Sequence, residues 1–270
     1  MKFILAAITL ALLSVGVVLV ARQTKTEASA SKPVLTRTPV LVELFTSEGC
    51  SSCPPADALL LTLYKDQPVD GADVIALEEH VDYWDELGWK DPFSSPEWTR
   101  RQREYAAAFR NGSVYTPQMV VDGQAEFVGS RERQSEQEIS AGARRTKTQV
   151  IVTPNGSGAD GTPQFSVRVG RLMGGTSGDL GEIWLAVAEN NLQSSVSSGE
   201  NAGEHLRHTS VLRTLRKIGM TETNKDESFS GDPLVRLDRA WKRENTRVIV
   251  FVQERKSRKI LGAAEAELSR

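Results

Sequence analysis

The sequence predicts an α/β domain over residues 39–147, followed by an all-β, sandwich-like domain over residues 148–270. Three observations predict it. The apolar run Val40-Leu41-Val42-Glu43-Leu44-Phe45 is followed at once by the chain's only two cysteines, in Cys50-Ser51-Ser52-Cys53. Further along, Thr116-Pro117 leads directly into a second strand-like stretch. Beyond Thr148, short apolar runs alternate with Gly- and Ser-rich turns, and no long helical period appears.

Each element follows from local chemistry. Pro54 and Pro55 suit the first positions of a helix, where a missing N–H costs least. Behind them, residues 56–64 place Leu59, Leu60 and Leu63 at helical spacing. The positive end of that helix faces Cys50 and favours its thiolate. Val74-Ile75-Ala76-Leu77 fits a buried parallel strand and runs into Glu78-Glu79-His80-Val81-Asp82-Tyr83-Trp84. Ligand sites in open α/β sheets lie at the carboxyl ends of strands, which makes His80 and Asp82 candidate proton carriers or metal ligands near the cysteines. The plainer reading has His80 as a satisfied polar residue and Trp84 and Trp89 as caps on the core.

Ser95-Pro96-Glu97 opens a further helix. Trp98, Tyr105 and Phe109 form its core face, and Arg100, Arg101 and Arg103 are expected on a solvated face. Strands follow over 119–121 and 125–128, joined by an Asp122-Gly123 turn, and a polar helix spans 130–144. This order, with a C-x-x-C closing the first strand and Thr-Pro entering a later one, is that of a thioredoxin-like domain. In the second half, strands are expected over 149–153, 164–169, 182–189, 209–216 and 248–254, with 259–264 closing a hairpin. Residues 199–208 read as a solvated loop. Glu204, His205 and His208 within it are weak metal candidates.

The cysteine pair has three ordinary readings: redox couple, structural bridge, or half of a zinc site. Closed zinc sites need four Cys or His ligands, and only His80, His205 and His208 are at hand, none at a finger spacing. A bridge closing so short a loop would stabilise by only about 2 kcal/mol. Redox therefore leads, ahead of the structural bridge, with zinc last. The net charge of −2 and pI near 6.0 argue against a nucleic-acid partner.

Residues 1–21 read as a signal peptide or membrane anchor, built on the apolar stretch 3–20. Residues 22–38 read as a polar linker, with Ala28-Ser29-Ala30 as a cleavage motif. Basic residues flank both sides of the apolar stretch and leave its orientation open. A periplasmic or extracellular location is expected, and it permits disulfides.

The segment Glu43-Leu44-Phe45-Thr46-Ser47-Glu48-Gly49-Cys50-Ser51-Ser52-Cys53-Pro54-Pro55-Ala56-Asp57 resembles a bacterial family of exported proteins known only as a domain of unknown function, placed in the thioredoxin-like superfamily. The blocks His80-Val81-Asp82-Tyr83-Trp84, Leu87-Gly88-Trp89, 91–96, Tyr115-Thr116-Pro117-Gln118, Gly199-Glu200-Asn201 and His208-Thr209-Ser210-Val211 carry the same resemblance. It implies an exposed attacking cysteine at Cys50, a buried resolving cysteine at Cys53 and a cis-proline at Pro117 facing them. Glu48, His80, Asp82 and Thr116 are auxiliary candidates. Glu48-Gly49 stands where the superfamily keeps a tryptophan.

The function expected is an exported thiol–disulfide oxidoreductase acting on protein thiols or disulfides, with no cofactor. Two alternatives stay open. One is a copper-binding or delivery protein using Cys50, Cys53 and His80. The other is a partner-binding module whose bridge is structural.

Overall fold

The alternation of side chains along a strand decides which residues a sheet shows to each face, and here it sorts the whole core. A computed structural model describes residues 37–221 and 225–268. The apolar segment 3–20, the cleavage motif and nearly all of the linker lie outside the described residues. No described helix is long and apolar enough to cross a membrane.

The first half runs β1 (Thr38–Thr46), α1 (Pro54–Asp66), β2 (Ala72–His80), α2 (Pro96–Phe109), β3 (Gln118–Val121), β4 (Ala125–Val128) and α3 (Glu132–Ala143). The second half runs β5 (Val150–Ser157), β6 (Pro163–Gly170), β7 (Gly181–Glu189), β8 (Leu192–Ser195) and β9 (His205–His208). It continues with β10 (Val211–Met220), β11 (Glu227–Gly231), β12 (Thr246–Glu254) and β13 (Ile260–Glu267).

Both halves build one mixed sheet of eight strands, ordered β13-β12-β7-β10-β2-β1-β3-β4. β1 and β2 are parallel, with Thr46 opposite His80 at their carboxyl ends. The halves meet where β10 joins β2, also in parallel, through Val211 opposite Glu78. The remaining neighbours in this sheet are antiparallel.

On one face, Val40, Val42, Leu44, Val74 and Ala76 pack with Leu60 and Leu63 of α1 and Ile139 of α3. Farther along, Ile183, Leu185, Val248 and Val250 pack on Phe165 and Val167 of a second sheet, ordered β11-β6-β5. The opposite face is continuous across the junction. Leu41, Ile75 and Leu77 share a cluster with Trp98 of α2 and with Ala186, Ile249 and Phe251.

The expectation of a thioredoxin-like α/β domain followed by a β sandwich is therefore corrected. The described residues are mostly β, with three α-helices packed against a large mixed sheet that continues from one half into the other. The misreading has a physical origin. β7, β12 and β13 have the alternation of a sandwich strand on one face, where the small sheet covers them. Their other face is buried against α2, an element drawn from the first half.

Local expectations fared better, with α1, α2, α3, β3 and β4 all close to their predicted spans. Asp122 and Gly123 both take positive φ, 51° and 60°, as the hairpin turn requires. Arg101 is not solvated. It is buried between β1, α2 and β12, donating to Glu43, to Gln253 Oε1 at 3.0 Å and to Tyr105 Oη at 3.2 Å.

Candidate functional site

The carboxyl ends of β1 and β2, together with the start of β10, define one corner of the sheet. Three loops meet there: 47–53 after β1, 81–95 after β2, and 196–204 between β8 and β9. The first carries Cys50 and Cys53, joined as a disulfide with Cα atoms 5.5 Å apart. The bridge sits at the N-terminus of α1, where Cys53 is the N-cap and Pro54 and Pro55 take the first positions. Cys50 is fully buried, as is Cys53. This corrects the exposed cysteine that the family resemblance implied at position 50.

The cover over Cys50 comes from the second half of the chain. Asn201 donates from Nδ2 to the carbonyls of Glu48 (2.8 Å) and Cys50 (3.1 Å). Glu200 Oε2 accepts from the Ser51 N–H at 3.1 Å, and the Ser198 hydroxyl donates to the Gly88 carbonyl at 2.6 Å. On the other flank Trp84 packs on Gly49, where an added Cβ would come within 3.0 Å of Trp84 Cβ. The Trp84 indole donates to Thr116 Oγ1 at 2.8 Å. The Thr116–Pro117 peptide is cis. Pro117 is buried, and Gly129 sits against both Pro117 and Ala56 in the first turn of α1.

One turn into α1, Asp57 lies on the same side as Cys53 and is buried. It accepts from the Thr46 hydroxyl at 2.6 Å. Burial, reinforced by the charge of Glu78, raises its pKa from 3.8 to about 7, although Thr46, His208 and His80 oppose the shift.

Beside Asp57 lies a chain of buried charged groups, running Asp91, His80, Glu78, His208, Glu48. His80 Nδ1 meets Asp91 Oδ2 at 2.7 Å. Glu78 Oε1 lies 2.7 Å from His208 Nδ1, and His208 Nε2 lies 3.1 Å from Glu48 Oε1. The free ends are tied as well. Glu78 Oε2 accepts from the Thr209 N–H, Glu48 Oε2 from the Trp89 indole, and Asp91 Oδ2 from the Glu48 N–H, each at 2.8 Å.

Burial would discharge the histidines, but their carboxylate neighbours win. Asp91 and Glu78 lift His80 to about 9, and Glu78 and Glu48 hold His208 well above its usual value. Burial likewise pushes Glu78 up, yet His208 and His80 bring it down to about 2. Against the same burial penalty, His80 lowers Asp91.

The structure thus brings Cys50, Cys53, Glu48 and His80 to one corner, with Thr116 and Pro117 on its flank. Asp82 stands apart. Its carboxylate accepts from the Thr99 hydroxyl of α2 at 2.5 Å. His205 is exposed and pairs with Ser195 at 2.9 Å, whereas His208, expected on a solvated loop, is buried in the site. Glu204 is exposed. Asp57, Glu78, Asp91, Glu200 and Asn201 also belong to the corner, beyond the residues the sequence singles out. The local signal for Glu78 and Asp91 was present, as acids flanking His80 on either side. Nothing local in sequence joins residues 200–208 to the cysteines. Among the described residues, the group close enough to hold a metal is Glu78, His80 and His208, without either cysteine.

The family described as a protein of unknown function, DUF1223, matches residues 41–253. Among curated proteins, none matches the chain in sequence. Among solved structures, the chain is similar to protein AGR_C_4864 from Agrobacterium tumefaciens. That likeness has 24% identity and a TM-score of 0.64, and covers 87% of this chain and 98% of that one. It is also similar to HBP35 of Porphyromonas gingivalis, with 17% identity, a TM-score of 0.58, and coverage of 86% and 76%. Both are likenesses of fold.

Proposed function

This chain belongs to the DUF1223 family of proteins of unknown function, and from its site we propose that it is an exported thiol–disulfide oxidoreductase working through Cys50 and Cys53. One observation carries the reading. The chain's two cysteines are joined at the N-terminus of α1, one helical turn from Asp57, a buried carboxyl that changes charge near neutral pH. A helix N-terminus stabilises a thiolate, and a carboxyl titrating near 7 is matched to passing a thiol proton.

The exchange balances as follows. In the reduced pair, the Cys50 thiolate attacks one sulfur of a partner disulfide, forming a mixed disulfide and releasing a partner thiolate. Asp57 accepts the proton of the Cys53 thiol. The Cys53 thiolate then attacks Cys50 Sγ, closing the internal bridge and releasing the second partner thiolate. Two electrons pass from the pair to the partner, and the reverse sequence oxidises a dithiol.

Because both cysteines are buried, a partner reaches Cys50 only when residues 196–204 withdraw Asn201 and Glu200 from the loop beneath. The partner class is an exported protein carrying thiols or a disulfide, and the apolar segment 3–20 supplies the export signal or anchor.

The test is trapping. A Cys53→Ser variant of the full chain, produced in an exporting bacterium, is expected to accumulate mixed disulfides that dissolve in dithiothreitol, while Cys50→Ser accumulates none. The Cys50–Cys53 couple is expected to equilibrate with glutathione buffers at about −120 to −270 mV. Absence of mixed disulfides from Cys53→Ser, with a couple still oxidised below about −300 mV, would make the bridge structural.

A further inference from the structure

We propose that Glu78, His80 and His208 form a buried binding site for a divalent transition-metal ion of the zinc class, with one coordination position left open. The inference stands apart from the exchange reading, since neither cysteine contributes to the site.

Four observations converge on it. The first is geometric. One ligand atom from each of the three residues lies within 4.8 Å of the others. A triangle of that size puts its centre at most about 2.8 Å from each corner, against about 2.0–2.2 Å for zinc bonds to nitrogen or oxygen. Closure therefore needs side-chain shifts of less than about 1 Å. Glu78 Oε1 is the common point, 2.7 Å from His208 Nδ1 and 3.4 Å from His80 Nε2.

The second is an orphaned atom. His80 is completely buried, and its Nε2 has no hydrogen-bond partner, Glu78 Oε1 standing outside hydrogen-bond geometry. A sealed imidazole nitrogen without a hydrogen-bond partner, 3.4 Å from a carboxylate oxygen, is a polar atom whose burial calls for a ligand.

The third lies in the groups behind the ligands. His80 turns Nδ1 to Asp91 and His208 turns Nε2 to Glu48, so each imidazole has a carboxylate on the nitrogen facing away from the common point. That pairing fixes ring orientation and strengthens the inward nitrogen as a donor. Glu78 is oriented the same way, with Oε2 held by the Thr209 N–H and Oε1 facing inward.

The fourth is charge. Among the described residues, the hydrogen-bond and ion-pair partners of buried Glu48, Glu78 and Asp91 are histidines, an indole and backbone N–H groups, with no lysine or arginine. The two imidazoles are the cations that face these three side chains, and one divalent ion would replace the charge of their two protons. Two imidazoles and one carboxylate are a borderline donor set that suits zinc and its first-row neighbours better than calcium or magnesium. Three protein ligands leave a fourth position for water or a substrate atom.

Calorimetric titration of zinc chloride into the full-length chain tests this. The chain is first stripped with EDTA and kept oxidised, so that no thiolate is available. Saturation is expected at one ion per chain. Cobalt(II) bound in place of zinc should show visible d–d bands without the near-ultraviolet charge-transfer band of a thiolate ligand. The Cys50→Ser/Cys53→Ser variant should bind zinc with unchanged affinity, Asp91→Asn should weaken binding about 10–100-fold, and His208→Gln should lose it. If the histidine variant fails to fold, the cobalt spectrum of the unaltered chain decides alone. A folded, oxidised chain that takes up neither metal overturns the proposal and leaves the cluster a protonated charge network. Binding that is lost in the double serine variant but kept in Asp91→Asn overturns it too.

Discussion

Glu78 and Glu79 are neighbours in β2, yet they serve two buried charge clusters on opposite faces of the sheet. Glu79 points toward α2. There Arg101 is the cation, contacting Glu43, Glu79, Gln253 and Tyr105 and so tying β1, β2, α2 and β12 together. Glu78 points the other way, into the corner below the disulfide, where the cations are histidines. An arginine carries its charge at every accessible pH, so the cation of the first cluster is fixed, even though burial and Glu43 push the Glu79 carboxyl well above its ordinary pKa. An imidazole can hold either a proton or a metal ion, and Asp57 beside the pair has its pKa raised to about 7, so the second has several states. Fixed compensation marks a structural joint, and conditional compensation marks the place where chemistry can occur.

The comparison breaks most readily at Arg101. Arg101→Met leaves the Glu43 carboxylate buried without its cation and removes donors to Gln253 and Tyr105. Loss of one partner from a buried pair costs about 3–5 kcal/mol, a large share of a typical total of about 5–15 kcal/mol. Urea unfolding at pH 7 measures it. A loss under about 1 kcal/mol would mean that the arginine cluster is no joint at all.

The histidine-lined corner should respond in the opposite direction at Asp57. The residues facing this carboxyl are Thr46, Glu78, His80 and His208, and its folded pKa is about 7 against 3.8. Between those values the folded state keeps a proton that the unfolded chain releases, so stability falls as pH rises through that window. Asp57→Asn, whose Oδ1 still accepts from Thr46, removes that penalty. It is expected to stabilise the metal-free protein by roughly 2–4 kcal/mol at pH 8 and hardly at all near pH 4. An equal gain at both values would show that Asp57 is not the titrating group. In the trapping assay the same variant should resolve mixed disulfides more slowly, because Cys53 has lost its proton acceptor.

How much of this was legible beforehand depended on sequence distance. The Cys50–Cys53 pair, the helix opened by Pro54 and Pro55, the Asp122-Gly123 turn and the Ser95 cap were all readable, because each is set by neighbours within a few residues. Arg101 and His208 depart from the solvated positions their sequence suggests for one shared reason. A polar residue on an otherwise polar segment defaults to solvent, and only a partner from a distant strand makes its burial tolerable. Glu43 lies 58 residues before Arg101, and Glu78 lies 130 residues before His208. The fold class failed at the same kind of junction. The pairing of Val211 with Glu78 that carries the sheet from one half into the other leaves no periodic trace in either strand.

The smallest effect tests whether the cover over the disulfide belongs to the site or merely rests on it. Asn201 is buried and donates two hydrogen bonds to carbonyls flanking Gly49, whereas Glu200 is exposed and accepts one from Ser51. Asn201→Ala should cost about 1–2 kcal/mol, since two buried carbonyls lose a donor. Glu200→Ala, at the surface, should stay within about 0.5 kcal/mol. If withdrawal of residues 196–204 is what admits a thiol to Cys50, then Asn201→Ala should also speed reduction of the bridge by dithiothreitol several-fold, with Glu200→Ala intermediate. Equal reduction rates in all three proteins would mean that the cover never limits access. The partner's route to Cys50 would then have to lie on the other flank, past Trp84 and Thr116.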